Sequence, residues 1–230
     1  MGRKKRRRLQ ELGSLPNVVD RDEVCFGGEW VDKRLGPRDG LALELGCGKG
    51  EYTLALARCR PSWNIVGIDR RGDRLWKGAR RALEQGLANV LFLRADLQNL
   101  ELFFGPGQVS QIWLPFPDPM PKKRQAKHRI FSQRYLLTYR ELLAPKGSLH
   151  LKTDDAGLAA GFREAVAEAG GIVHLQTDNL YGDPELTIEE GDLLQIKTTF
   201  ELRHLAAGKS IRYFEVRFPP ADAPCPGSRG

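Results

Sequence analysis

Leu41-Ala42-Leu43-Glu44-Leu45-Gly46-Cys47-Gly48-Lys49-Gly50 decides the fold. Its first half reads as a short buried strand, its glycines as a turn, and Glu51 to Arg58 has helical composition. Glycines at a strand-to-helix turn take positive φ without penalty and let the backbone approach a ligand closely. The spacing is G-x-G-x-G, and Glu51 stands where a dinucleotide G-x-G-x-x-G needs its third glycine. The lysine-hydroxyl pair of a phosphate-binding loop is missing too. One glycine turn is a weak signal, and its weight depends on its neighbours.

They follow in order. Asn64-Ile65-Val66-Gly67-Ile68-Asp69 is a second strand ending in an acid, and Val90 to Ala95 is a third with Asp96 just past it. An acid at the Asp69 position typically binds a ribose diol, because one carboxylate accepts from both hydroxyls. A fourth strand, Gln111 to Phe116, leads to Asp118. Ligands of doubly wound sheets sit outside the carboxyl ends of the strands, so Glu44, Asp69, Asp96 and Asp118 converge on one crevice. Asp69 or Asp96 taken alone has a structural alternative, capping the helix that follows; four acids at four strand ends are harder to explain that way. Such a ring repels the pyrophosphate of a dinucleotide and attracts a ligand with an ammonium and a sulfonium, the more so in a partly dry cleft. The ligand that fits is S-adenosylmethionine.

Around Asp118 the sequence runs Trp113-Leu114-Pro115-Phe116-Pro117-Asp118-Pro119-Met120-Pro121-Lys122-Lys123-Arg124. Proline fixes its own φ and pushes the preceding residue toward extended backbone, so Asp118 is expected in a narrow conformational range. Lys122, Lys123, Arg124, Lys127, His128 and Arg129 follow at once. A solvated charged face is the ordinary reading of such a run. Beside a positioned carboxylate it suggests chemistry on nucleic acid instead.

Together these motifs resemble the bacterial tRNA (guanine-N7)-methyltransferases, a class I S-adenosylmethionine-dependent family. The resemblance is carried by Glu44 to Gly50, by Phe116-Pro117-Asp118-Pro119 with Pro121 to Arg124, by Thr153-Asp154 and by Thr198-Thr199-Phe200-Glu201, in order over roughly residues 20 to 218. It implies that Glu44, Gly46, Gly48, Gly50, Asp69 and Asp96 hold the cofactor. Asp118 would sit where cofactor and base meet and act as the catalytic residue. Lys122, Asp154, Thr198 and Glu201 would contact the substrate, with Glu201 accepting from guanine N1–H and the exocyclic amine. Lys123, Arg124, Lys127 and Arg129 are the candidates for the RNA backbone. The family implies guanosine 46 of the variable loop as the target. Guanine N7 has an in-plane lone pair and no proton, so direct displacement needs no general base, and alignment and electrostatics must supply the rate. Met120 departs from the family's usual tryptophan, and Gln125-Ala126 from a pair often rich in histidine. Thr198 to Glu201 also matches the T-x-x-E capping box, so a helix start there is equally expected.

The 230 residues, 41% hydrophobic and 28% charged, suffice for one domain with a sizeable core. Net charge +7 favours polyanions. Cys25, Cys47, Cys59 and Cys225 form no C-x-x-C pair and the four histidines are scattered, so no metal site or disulfide framework is expected, and a reducing, cytoplasmic setting is. No apolar run is long enough to span a membrane, and none follows the basic start as a signal peptide requires. Expected are a flexible basic arm over 1–20 that adds RNA contacts, one domain over 21–218 and a flexible tail over 219–230. Strand-helix alternation predicts an α/β fold: a doubly wound, mostly parallel, seven-stranded sheet with helices on both faces and one antiparallel edge strand, Ile211 to Phe218. The expected partner is tRNA, with monomer and homodimer equally open. Three alternatives share parts of this pattern. A methyltransferase for another base or an exocyclic amine usually follows its acid or amide with two prolines and an aromatic, which Pro119-Met120-Pro121 does not match. A nicotinamide-dependent oxidoreductase lacks its third glycine here, and a non-enzymatic RNA-binding module would show an eroded glycine turn or Asp118.

Overall fold

The computed structural model describes residues 3–20, 27, 29–120, 122, 129–189 and 192–219. In chain order it builds α1 (Arg3–Leu12), β1 (Val18–Asp20), α2 (Glu29–Leu35), β2 (Gly40–Leu45), α3 (Glu51–Cys59), β3 (Trp63–Ile68), α4 (Gly72–Glu84) and β4 (Val90–Arg94). A 3-10 turn at Leu97–Leu102 leads to β5 (Val109–Pro115), α5 (Gln133–Leu142), β6 (Leu143–Thr153), α6 (Ala156–Glu168) and β7 (Ile172–Thr177). A second 3-10 turn, Leu193–Gln195, precedes α7 (Thr199–Ala206) and β8 (Arg212–Arg217).

The sheet has eight strands in the order β1-β4-β3-β2-β5-β6-β8-β7. All described pairings are parallel except those of β8, which runs antiparallel to both β6 and β7 at this edge. The strand beyond the expected seven is β1, paired with the outer edge of β4. Three residues are too few to show an alternation, and the strand exists because β4 offers a free edge. The arm expected over 1–20 is likewise corrected. Arg3–Leu12 is a helix whose Leu9 and Leu12 pack against Gly72 at the start of α4. The basic residues hid this amphipathic helix. Only residue 219 of the expected tail is described.

Both faces of the sheet are covered, which explains the nearly continuous apolar runs of β2, β3 and β4. Residues of β2 alternate between two cores: Leu41, Leu43 and Leu45 enter one, with Val66, Leu91 and Ile112. Ala42 enters the other, with Tyr52, Ile65, Phe92 and Trp113. Glu44 shares the Ala42 side, so its carboxylate lies beneath the glycine turn. Strand order reverses direction between β2 and β5, and at such a switch point the carboxyl ends part to leave a crevice. Among the described residues no helix is long and apolar enough to cross a membrane.

Candidate active site

Gly46, Gly48 and Gly50 all have positive φ, at 76°, 57° and 72°. A Cβ on Gly50 would stand 2.7 Å from the Phe92 ring, whereas one on Gly46 would meet nothing within 4 Å and would project into open space. The first glycine thus keeps a ligand surface clear and the last lets α3 pack on β4. Asp69 braces this turn: Oδ2 accepts from Gly48 N (2.9 Å) and Oδ1 from Arg71 N (2.7 Å). Asp69 does not cap α4, whose N-cap Arg71 has no side-chain cap, and each carboxylate oxygen keeps a second lone pair for a ligand.

Two cavities meet over the carboxyl ends of the strands. The smaller, ≈ 400 Å³, is lined by residues including Glu44, Gly48, Glu51, Tyr52, Thr198 and Arg203. The larger, ≈ 870 Å³, includes Asp69, Asp96, Asp118, Met120, Asp154 and His204. Gly46, Arg74, Pro115, Phe116 and Phe200 line both. The four strand-end acids therefore do converge on one crevice, with Glu44 at its floor. Glu44 is 3% exposed and takes a hydrogen bond from the Thr53 hydroxyl. Burial, against that bond, pushes its carboxyl up to about 8. Asp96 caps nothing with its side chain and is exposed.

Asp118 is exposed at the mouth of the larger cavity and accepts from Met120 N (3.3 Å). Its flanks depart from the extended backbone expected before proline: Phe116 has φ 54° and Met120 φ 42°. Non-glycine residues there cost on the order of 1–3 kcal/mol each and persist only where surroundings impose them. The imposing contacts are visible. Phe116 N donates to Lys152 O (2.8 Å), and its ring meets Phe200 at 5.1 Å, which in turn stacks on His204 at 4.1 Å. Arg129 donates to Met120 O through Nε (3.3 Å) and Nη2 (3.2 Å). Arg129 therefore braces the Asp118 loop, a different task from the RNA contact expected of it. Lys122 is exposed; Lys123, Arg124 and Lys127 lie outside the described residues.

Asp154 Oδ2 accepts from both His204 Nδ1 and Lys209 Nζ, each at 2.7 Å. Partial burial would raise its carboxyl, but those two bonds outweigh it and hold the group low. Thr198 and Glu201 form the capping box of α7: Thr198 Oγ1 accepts from Glu201 N (3.1 Å) and Glu201 Oε2 from Thr198 N (3.4 Å). Glu201 has no exposed surface. Its Oε1 accepts from Tyr181 OH (2.6 Å) and Lys152 Nζ (3.4 Å). The expected guanine-reading role is corrected here, because the carboxylate is turned inward and both oxygens are occupied.

Sequence reasoning missed Lys152. Its ammonium, fully buried on β6, also donates to Leu194 O and Ile196 O at 2.8 Å and to Tyr181 OH at 3.0 Å. Burial, opposed by Glu201, lowers it to about 8. The available signal was a lysine ending the apolar run Leu149-His150-Leu151. Glu51 was missed as well: its Oε2 accepts from Thr199 N (2.8 Å), tying the start of α3 to the start of α7 across the smaller cavity.

A parallel sheet with a glycine turn, strand-end acids and a crevice at the switch point is the architecture of a class I methyltransferase. Solved structures agree in fold. A 16S rRNA methyltransferase, KamB, matches with a TM-score of 0.63 at 17% identity, over 85% of this chain and 95% of that one. The antibiotic-resistance methyltransferase Kmr matches with a TM-score of 0.58 at 20% identity, over 84% and 92%. A family model described as "Putative methyltransferase" covers residues 38–212. A tRNA (guanine-N(7)-)-methyltransferase of Bacteroides thetaiotaomicron is 37% identical, over 95% of this chain and 87% of its own. One of Porphyromonas gingivalis is 42% identical, over 85% and 79%. The chain belongs to the tRNA (guanine-N7)-methyltransferase family.

Proposed function

We propose that this protein methylates N7 of a guanosine in tRNA, with S-adenosylmethionine as methyl donor and Asp118 as the carboxylate that serves the transfer. The observation carrying this reading is the junction of the two cavities. Gly46 on the cofactor turn and Phe116, two residues before Asp118, line the same space. The site suits the cofactor: Gly46 leaves room that a side chain would fill, and Glu44, Asp69 and Asp96 supply carboxylates for a ligand with cationic groups and a ribose diol. When bound, S-adenosylmethionine supplies the electrophilic methyl group. The Gly46, Gly48 and Gly50 turn, with Asp69 and Asp96, holds it. Asp118 orients the guanine and stabilises the positive charge the base acquires. Asp154, already ion-paired, shapes the substrate side and keeps the His204 ring in place beside Phe200.

The test is to incubate tRNA with the protein and labelled cofactor, digest it and identify the labelled nucleoside and its position. The reading requires 7-methylguanosine, at position 46 if the target is the one the family implies. Label in an exocyclic amine or in another base would overturn it.

Glu44 gives the site a pH dependence. With its carboxyl near 8 it carries a proton at neutral pH in the free protein. A bound cation favours the ionised form, so cofactor binding releases that proton and affinity rises with pH up to about 8, then levels. Titration calorimetry in buffers of different ionisation enthalpy measures the release. An affinity flat across that window would remove Glu44 from the cofactor contacts.

A further inference from the structure

Helix α4 buries Leu75, Ala79 and Ala82 and turns Arg74, Lys77 and Arg81 outward. At spacings of three and four these three form one stripe on the helix surface. Arg74 lines both cavities, so the stripe starts in the cleft and runs away from it for about 10 Å at 1.5 Å per residue. Two further cations flank it. Helix α1, seated on α4 through Leu9, Leu12 and the Lys5–Asp73 pair (3.7 Å), brings the Arg8 guanidinium over the Trp76 ring at 5.2 Å. Lys49 stands on the glycine turn beside the smaller cavity.

These charges are only partly offset: Glu51 acts on Arg81 and Lys49, and Asp73 on Lys77. Among the described residues none of Arg8, Lys49, Arg74, Lys77 and Arg81 is in an ion pair, while Asp73 is paired with Lys5 and Glu84 with Arg80. Glu51, which also accepts a backbone hydrogen bond from Thr199, is one carboxylate shared between Arg81 and Lys49. The crowding registers on Lys77, whose ammonium is held below its ordinary range first by Arg8 and then by Lys49. Uncompensated like charges destabilise a folded surface, and a polyanion lying on them removes that cost while releasing its own counterions.

We infer that the outward face of α4, between α1 and the glycine turn, is a phosphate track along which the tRNA backbone reaches the methyl-transfer cleft. The inference rests on the functional reading above and adds where the RNA lies. A compact anion has no reason to spread over two turns of helix; a polynucleotide strand does.

The test is tRNA binding by the full-length protein across a salt series, comparing wild type with Lys77→Gln/Arg81→Gln, neither of which lines the cleft. Removing two phosphate contacts should lower the slope of log K against log salt by roughly 1.4–2. The melting temperature should hold or rise slightly as the repulsion is relieved, and cofactor affinity should not change. Lys146→Gln/Arg163→Gln, on β6 and on α6, should leave the slope at its wild-type value. An unchanged slope in the α4 variant of a protein that binds tRNA overturns the track alone. A wild type that binds no tRNA overturns the functional reading and the track with it. Loss of binding to anionic phospholipid vesicles in the variant, with the tRNA slope unchanged, would assign the stripe to a membrane surface and overturn it as well.

Discussion

Lys152→Met is expected to lower the melting temperature by on the order of 10 °C. The ammonium is fully buried and has four acceptors: Glu201 Oε1, Tyr181 OH and the carbonyls of Leu194 and Ile196. Removing one partner of a buried ion pair costs about 3–5 kcal/mol, because the other charge is left without compensation. For a chain of this size each kcal/mol moves the midpoint by roughly 2–4 °C. The damage falls where the site is assembled, since this lysine joins β6 to the turn before α7, and α7 carries Phe200 and Arg203 to the cavities. Lys152→Met/Glu201→Gln should recover a large part of the loss, because no buried charge then remains unpaired. Thermal unfolding of both single variants and the double gives the coupling energy. A single-variant shift below about 2 °C would mean that the segment around α7 is held by its apolar contacts alone.

The same residue shows which parts of the fold are written locally. From β2 onward the alternation of apolar strand and helix is local, so most elements fall within a residue or two of where composition places them; β6 is an exception, beginning at Leu143, five residues before Ser148. The capping box at Thr198 to Glu201 was equally legible, because it needs only four consecutive residues. Its depth was not. T-x-x-E specifies two reciprocal bonds at a helix start and says nothing of whether Tyr181 and Lys152 close over the glutamate. Strand β1 and helix α1 were hidden for a similar reason, each being defined by the surface it rests on. The prolines at 117 and 119 announced a restrained loop correctly. The left-handed backbone at Phe116 and Met120 depends on Lys152 O, Phe200 and Arg129, which no neighbour-by-neighbour rule supplies. The cationic stripe on α4 went unread in the sequence, because Arg8 joins it only through the packing of α1 on α4.

Asp118→Ala is expected to reduce single-turnover methyl transfer to tRNA by about 10²–10³-fold, the range for losing one preorganised charge-stabilising group, or roughly 2.7–4 kcal/mol. The argument is one of elimination among the acids of the crevice. Glu44 is buried and holds its proton at neutral pH. Asp69 is committed to two backbone amides. Asp154 is already ion-paired with Lys209 and hydrogen-bonded to His204. Asp96 lies past β4, with two strands between it and β5, whose end carries Asp118. Asp118 alone combines exposure, an unpaired carboxylate among the described residues and a loop strained on both sides. Because it is exposed and its one side-chain bond is a long one to Met120, the substitution should leave the melting temperature within about 1–2 °C, as surface changes generally do. Cofactor affinity should move by no more than a few-fold, since Asp69 and Asp96 remain. Asp118→Asn separates orientation from charge. An amide still accepts a hydrogen bond from the base but offers no field to a developing cation, so a rate close to that of the alanine variant means charge carries the effect. A rate close to wild type in Asp118→Asn would reduce Asp118 to an orienting group, and near-wild-type transfer in Asp118→Ala would remove it from the reaction.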